Sequence, residues 1–350
     1  GEAVIKFSFA GVEKTIPVTP GMREWQVTVP AMEASAEPKT LKVTFSINSE
    51  VVHERVSRNL LVGEVWYVAT PSALPKIEVS KKSTAPVRMM TRRAKGAYSS
   101  WPHRFSVAVS TAPNSRFASS WQEADGFAAA LGHRIGCKTG KPVGIILMTA
   151  PKGKAPVARK VDGPSLKEWM PLEGLALAPS LKNDYEQLAA IQPGNPLFDA
   201  NVRSYIAEWK KLWSGYIPEM MKTKRVPDGA AWGSFPTMKS SITTKAGQIY
   251  NTLVHSFTPG SFKGVVFLCG EGLFRDEGAS YGEQLSALGT SWKDLFGSEP
   301  QFIYTIPGKN LAPKITKPEN IKGKNMGLEI NDWSDKDAIL KLIDTVANQS

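Results

Sequence analysis

The chain has 350 residues, of which 42% are hydrophobic and 21% are charged, a composition that allows one large globular domain with a smaller one. No apolar run reaches the length of a membrane-spanning helix, and no signal peptide is recognisable. Because Gly1 stands at the start of a predicted strand, we expect a processed or trimmed N-terminus.

The net charge of +11 comes from 43 basic and 32 acidic residues. The simplest interpretation is a solvated basic surface, and we favour it. The alternative is a surface that attracts a polyanion such as an acidic glycan, nucleic acid or anionic lipid. No nucleic-acid-binding motif accompanies the charge, so the alternative stays secondary.

The sequence indicates neither a metal site nor a cofactor. No glycine-rich phosphate-binding loop is present, and the cysteines and histidines are too few and scattered for a zinc site. Asp332, Asp335 and Asp337 lack the glycine and closing glutamate of a calcium loop, so we interpret them as a solvated turn. Cys137 and Cys269 fall at opposite edges of a predicted parallel sheet, so we expect no disulfide between them.

Residues 1–60 alternate predicted strands and turns. Period-two alternation of apolar residues predicts strands at Val4–Phe9, Glu24–Val29 and Leu41–Ile47, with glycines and prolines between them. In the last of these, we expect the apolar residues to share one face. The pattern predicts a small antiparallel β domain.

From residue 61 onward the pattern becomes α/β. Leu60–Val68 and Pro142–Met148 are apolar, β-rich runs, and the amphipathic segment Glu123–Ile135 lies between them. Such alternation predicts a parallel sheet, in which ligands bind beyond the carboxyl ends of the strands. Ser72 lies just beyond the first of these strands, where a nucleophile would stand.

Residues of about 155–245 interrupt the alternation as a helical insertion. Asn195 and Pro196 predict a capped helix start. The helix that follows carries an apolar stripe, which we interpret as core packing and not as an aromatic sugar-binding platform. The stripe consists of Val202, Tyr205, Ile206, Trp209, Leu212, Trp213 and Tyr216. The α/β pattern then returns, with strands at Lys263–Glu271 and Gln301–Ile306 and a closing helix at Ala338–Val346.

Four blocks in this order resemble the SGNH-hydrolase family, specifically its sialate O-acetylesterase-like branch. The first is G-E-V-W at 63–66, after which Ser72 falls on the nucleophilic serine of the family. The second, S-S-W-G-G in the family, reads T-A-P-K-G at 149–153. The third, K-G-V-I-W-Y-Q-G-E-S-N, reads K-G-V-V-F-L-C-G-E-G-L at 263–273. In the fourth, Asp337 falls on the family aspartate and Ile339 on the family histidine.

The resemblance implies a fold and a location. We expect a flavodoxin-like SGNH three-layer α/β sandwich over residues 61–350, with the helical insertion at about 155–245. Residues 1–60 would form the N-terminal antiparallel β domain, incomplete here or completed by a partner segment. Because the family is usually exported, the resemblance also implies an extracytoplasmic location, either periplasmic or secreted.

The resemblance also implies which residues form the catalytic site. An SGNH esterase needs a serine, a histidine that takes its proton, and hydrogen-bond donors for the oxyanion. The catalytic positions would be Ser72 and Asp337, and Ile339 cannot accept a proton. Loss of a triad base costs on the order of 10⁶ in rate. Residues expected to line the pocket are Lys152, Gly153, Cys269, Gly270 and Glu271, where most of the family's reactive side chains are replaced.

Three functions remain open at the level of sequence. The preferred one is a non-catalytic family member that serves as a binding or scaffold subunit, with a glycan or other protein subunits as partners. The second is an active carbohydrate O-acetylesterase in which Ser72 uses an unexpected base, with His103 and His255 as the candidates. The third is a basic polyanion-binding module built on the same fold.

Overall fold

The computed structural model describes residues 2–22, 24–70, 74–93, 121–150, 164–192, 194–225, 243–269, 276–331 and 335–350. Its first part is an antiparallel sheet with the strand order β2-β1-β3-β4. The strands are β1 (Ala3–Phe9), β2 (Val12–Pro17), β3 (Ser35–Ile47) and β4 (Glu50–Val62). The predicted antiparallel sheet is therefore confirmed.

The strand predicted at Glu24–Val29 is wrong. These residues belong to no strand or helix, and each is exposed or half-buried. Both edges of β1 are occupied, by β2 and by β3, and β3 pairs with β4 on its other side. Alternation alone specifies which side chains would share a face, but it does not show whether another strand pairs with the segment.

A second sheet has the strand order β11-β10-β9-β5-β8-β6-β7. All neighbouring strands are parallel except β6 and β7, which confirms the predicted parallel sheet. The strands are β5 (Glu64–Thr70), β6 (Val87–Arg93), β7 (Gln122–Glu123), β8 (Val143–Thr149), β9 (Gly264–Phe267), β10 (Gln301–Pro307) and β11 (Asn325–Ile330).

The strand order corrects the flavodoxin-like part of the prediction. We number the described parallel strands from β5 in chain order, so that β5 is 1, β6 is 2 and β8 is 3. Their order across the sheet is then 2-3-1-4-5-6, whereas the order in flavodoxin is 2-1-3-4-5. The third strand, β8, lies between β5 and β6 and pairs with β5 along its full length, from Glu64 with Val143 to Thr70 with Thr149. Both strands are mostly apolar and mostly buried, so hydrophobicity alone does not specify which of them is central.

Helices cover both faces of this sheet, as a three-layer sandwich requires. On one face, α1 (Gly126–Thr139) and α6 (Lys336–Ala347) pack over Trp66 and Val68 of β5. On the other face, Tyr67 and Ala69 pack beneath further helices. These are α2 (Leu172–Ala176), α3 (Lys182–Ala189) and α5 (Tyr281–Leu295).

Close packing at the centre of the sheet depends on Gly264, the first residue of β9. A Cβ atom at this position would lie 2.3 Å from the ring of Trp66, which is fully buried. A larger residue would therefore displace either the indole or the strand. The apolar run that follows Gly264 enters the sheet beside β5 only because this position has no side chain.

The long helix α4 (Pro196–Thr223) starts as predicted but does not pack as predicted. The Asn195 side chain caps it by accepting a hydrogen bond from the Leu197 amide at 2.9 Å. None of its residues is buried, and Leu197 is 62% exposed, so the predicted core stripe is wrong. Helical spacing shows that a helix has an apolar side, but it does not identify what covers that side.

Two smaller predictions can be compared with the structure. Cys137 is exposed in the last turn of α1, Cys269 is buried beyond β9, and no disulfide joins them, as expected. Within the described ranges, no helix is both long enough and apolar enough to cross a membrane.

Candidate functional site

The carboxyl ends of the three neighbouring strands β9, β5 and β8 form the edge from which the family-like segments leave. Thr70 at the end of β5 is in register with Thr149 at the end of β8, and the Ala150 amide donates to the Thr70 carbonyl at 2.9 Å. On the other side of β5, the Leu268 amide donates to the Ala69 carbonyl at 2.9 Å. The starts of three loops are thereby held side by side.

Several predicted site residues lie outside the described residues. These are Ser72, Lys152, Gly153, Gly270 and Glu271, together with the candidate base His103. Their assignment to a pocket stays a prediction. Cys269, Asp337 and Ile339 are the members of the predicted site whose surroundings are described.

Cys269 belongs to a buried cluster that joins β9, β10 and α5. Its amide donates to the Thr305 hydroxyl at 2.6 Å, and the Tyr281 hydroxyl donates to the Thr305 carbonyl at 2.8 Å. Burial raises the pKa of Tyr281 well above its ordinary value, and the neighbouring Cys269 raises the pKa further. A phenol in this state keeps its proton, so the cluster fixes the strand ends and does not transfer protons.

Sequence reasoning did not find Thr305 or Tyr281. Thr305 is fully buried in the middle of an apolar strand, and Tyr281 is the first residue of α5. Thr305 lies 36 positions after Cys269, with which it makes its hydrogen bond. One polar residue within the apolar strand Gln301–Ile306 is the signal that could have identified it, because buried hydroxyls need partners.

Asp337 and Ile339 face opposite sides of α6. At about 100° per residue, two positions along a helix are separated by about 200°. Asp337 is exposed in the first turn, whereas Ile339 is fully buried in the same core cluster as Val68 and Leu268. The structure does not bring the two side chains together.

The start of α6 is stabilised by a different aspartate. Asp335 is the N-cap, and its carboxylate accepts hydrogen bonds from the amides of Asp337 at 2.9 Å and Ala338 at 3.3 Å. Negative charge at this end also interacts favourably with the helix dipole. Within the described part of this acidic segment, Asp335 therefore has a structural role as the cap of α6.

Three histidines belong to the described part of the chain, and each has a described position or contact. His53 is in β4, and His133 is in α1, where its Nδ1 accepts from the Ser83 amide at 3.2 Å. His255 lies nine residues before β9, in a segment whose Lys263 amide bonds to Val65 near the start of β5. Its Nδ1 lies 3.4 Å from the Tyr250 hydroxyl.

Tyr250, the neighbour of His255, is also unsuited to proton transfer at neutral pH. Burial raises its pKa to about 12, and the negative charge of Glu173 adds to the shift, although a hydrogen bond with Thr258 opposes it. His255 and Tyr250 therefore contact each other as part of the packing beneath β5.

Several basic residues are engaged by other groups. Lys314 pairs with Glu277 and Lys322 with Asp294, both at 2.7 Å. The Arg88 guanidinium donates to the backbone and side-chain oxygens of Asn59. The two ion pairs of Lys314 and Lys322 reduce the positive charge that these lysines offer to an external polyanion, whereas the hydrogen bonds of Arg88 to neutral oxygens leave its charge unchanged.

Comparison with known proteins identifies a shared fold. No protein-family model matches the chain, and no curated protein matches it. The crystal structure of a carbohydrate acetylesterase from Xanthomonas citri matches with a TM-score of 0.55 and 16% identity, over 99% of this chain and 68% of that one. A protein from Arabidopsis thaliana matches with a TM-score of 0.33 and 11% identity, over 82% of this chain and 97% of that one. The first match shows that the chain shares the fold of that acetylesterase.

Proposed function

We propose that this chain is a non-catalytic relative of the sialate O-acetylesterase-like SGNH hydrolases that serves as a binding or scaffold subunit outside the cytoplasm. Its partners would be a glycan or other protein subunits. The proposal includes the organisation expected from the sequence, namely a β domain at 1–60, an SGNH-like domain at 61–350 and an insertion at about 155–245.

The observation that carries this proposal is the environment of Ile339. Where the family resemblance calls for the histidine base, the residue is an isoleucine with no exposed surface, packed with Val68 and Leu268. A serine hydroxyl without a base is a weak nucleophile at neutral pH. The described contacts of His133 and His255 also support the proposal, since their ring nitrogens face the Ser83 amide and the Tyr250 hydroxyl.

Hydrolysis of p-nitrophenyl acetate tests the proposal. Wild type and Ser72→Ala should hydrolyse the ester at equal rates, indistinguishable from the rate of a control variant in β4, Ser57→Ala. Loss of base and oxyanion donors predicts this equality, because nothing remains for the hydroxyl to contribute. Turnover that disappears in Ser72→Ala but persists in Ser57→Ala would overturn it.

The alternative is an active carbohydrate O-acetylesterase with Ser72 as nucleophile. It is favoured by the fold shared with a carbohydrate acetylesterase and by the adjacent ends of β5, β8 and β9. A shared fold does not by itself confer activity, so the alternative ranks second. It predicts turnover of acetylated sugars that requires Ser72 and a base contributed by one of the loops.

A further inference from the structure

The antiparallel sheet of β1–β4 carries a polar face that the resemblance to hydrolases does not explain. Antiparallel register places Thr15, Lys6, Thr44 and Glu54 in one row across all four strands. In the next row, Ser46 of β3 lies opposite Val4 of β1 and Val51 of β4. The apolar residues Ile5 and Phe7 belong to the opposite face, so this polar side is not a core surface.

Two hydroxyl side chains form the floor of a cavity on this face. The cavity has a volume of about 630 Å³, within the range of ligand pockets, and both Thr44 and Ser46 line it. Thr44 is 8% exposed and Ser46 is 5% exposed. Among the hydrogen bonds of the described residues, none involves either hydroxyl, and neither oxygen is among the enclosed polar atoms that lack a partner, so both open into the cavity. The two hydroxyls at the floor can therefore form hydrogen bonds with a ligand in the cavity.

The charges around the cavity indicate what kind of molecule that is. Its lining combines three ammonium and three carboxylate groups, which balance. They are Lys6, Lys14, Lys42, Glu2, Glu13 and Glu54. Lys42 and Glu54 are paired at 2.7 Å. An anionic ligand would meet as many repelling as attracting groups, whereas a neutral polyol can donate to the carboxylates and accept from the ammonium groups.

We propose that this cavity is a binding site for a neutral oligosaccharide. The hydroxyls of Thr44 and Ser46 bond to sugar hydroxyls at the floor, and the charged side chains bond to sugar hydroxyls at the rim. Val4 and Val51 supply apolar surface for the C–H faces of the rings. The site lies on β1–β4, not at the carboxyl ends of the parallel strands, and it does not rest on the fate of Ser72.

Isothermal titration calorimetry and saturation-transfer NMR test this site with four neutral probes: cellohexaose, xylohexaose, maltohexaose and chitohexaose. We expect at least one to bind, and the double variant Thr44→Val/Ser46→Ala to weaken its affinity at least tenfold. Because neither hydroxyl bonds within the protein, this variant should melt at or above the wild-type temperature. The matched control, Thr28→Val/Ser57→Ala, changes the same residue types outside the cavity and should bind like wild type.

A second variant protects the test against a folding defect. Lys6→Met keeps the length of an exposed side chain and removes one rim donor, and it should also weaken binding. Failure of all four probes to bind at millimolar concentration would overturn the proposal. Wild-type affinity in the floor variant, or tighter binding of a heparin-derived hexasaccharide than of the neutral probes, would overturn it as well.

Discussion

At the scale of single residues, Asp337 and Ile339 show how two neighbouring positions of one block can have unrelated roles. Their side chains leave α6 on opposite sides, one to solvent and one to the core. The sequence predicted correctly that Ile339 lies within a closing helix. It could not show that the side chain fills a core shared with Val68 and Leu268, because those contacts join distant parts of the chain.

We predict that Ile339→Ala lowers the free energy of unfolding by about 2–5 kcal/mol, the range for large-to-small changes in a packed core. Asp337→Ala should lower it by less than about 1 kcal/mol, since the exposed carboxylate contributes mainly through the helix dipole. Urea denaturation of both variants measures the difference. Similar values for the two would show that residue 339 is not a core residue.

His133 gives a pH dependence whose sign follows from its surroundings. Burial lowers its pKa, the neighbouring Lys82 lowers it further, and Glu123 partly opposes the shift. The neutral ring accepts a hydrogen bond from Ser83, which protonation of Nδ1 would remove. The stabilisation is therefore complete above the unfolded-state pKa of about 6.5 and is lost as the pH falls through the lower folded-state pKa.

The lowered pKa of His133 predicts how steeply the free energy of unfolding falls as the pH falls. Between pH 7 and pH 5, wild type should lose more unfolding free energy than His133→Gln, whose side chain does not titrate. Carboxylates that titrate in this range are common to both proteins and cancel in the difference. Parallel curves for the two proteins would contradict the assignment.

At the scale of secondary-structure elements, boundaries were more predictable than partners. β1, β8, β10 and α6 appear within one or two residues of their expected ranges, because local alternation and turn residues determine them. The position of β8 between β5 and β6 and the isolation of Glu24–Val29 from any strand depend on pairing between distant segments. Local patterns do not contain that information.

The helix α4 provides the sharpest test at this scale. Leu197 in α4 is 62% exposed, whereas Leu285 in α5 is fully buried. Leu197→Ala should change the free energy of unfolding by less than about 0.5 kcal/mol, and Leu285→Ala should lower it by about 2–5 kcal/mol. Thermal or urea unfolding of this matched pair measures both. A large loss for Leu197→Ala would mean that α4 packs through its exposed side.

At the scale of the whole molecule, the sequence predicted the two sheets and the edge at which the family-like loops begin. The adjacency of Thr70 and Thr149 follows from parallel strand order, a general property of α/β sheets. The cluster of Cys269, Thr305 and Tyr281 and the cavity floor of Thr44 and Ser46 were not predicted. Both are assembled from side chains on different strands or helices, which no single segment reveals.

Covalent labelling of Ser72 tests the central claim most directly. A fluorophosphonate probe reacts with a serine that has an active base and does not react with an ordinary hydroxyl. Intact-mass spectrometry of the folded wild-type protein, with Ser72→Ala and heat-unfolded protein as controls, should show no adduct at Ser72. An adduct on the folded protein that is absent from Ser72→Ala and from unfolded chains would contradict the account and identify an active esterase.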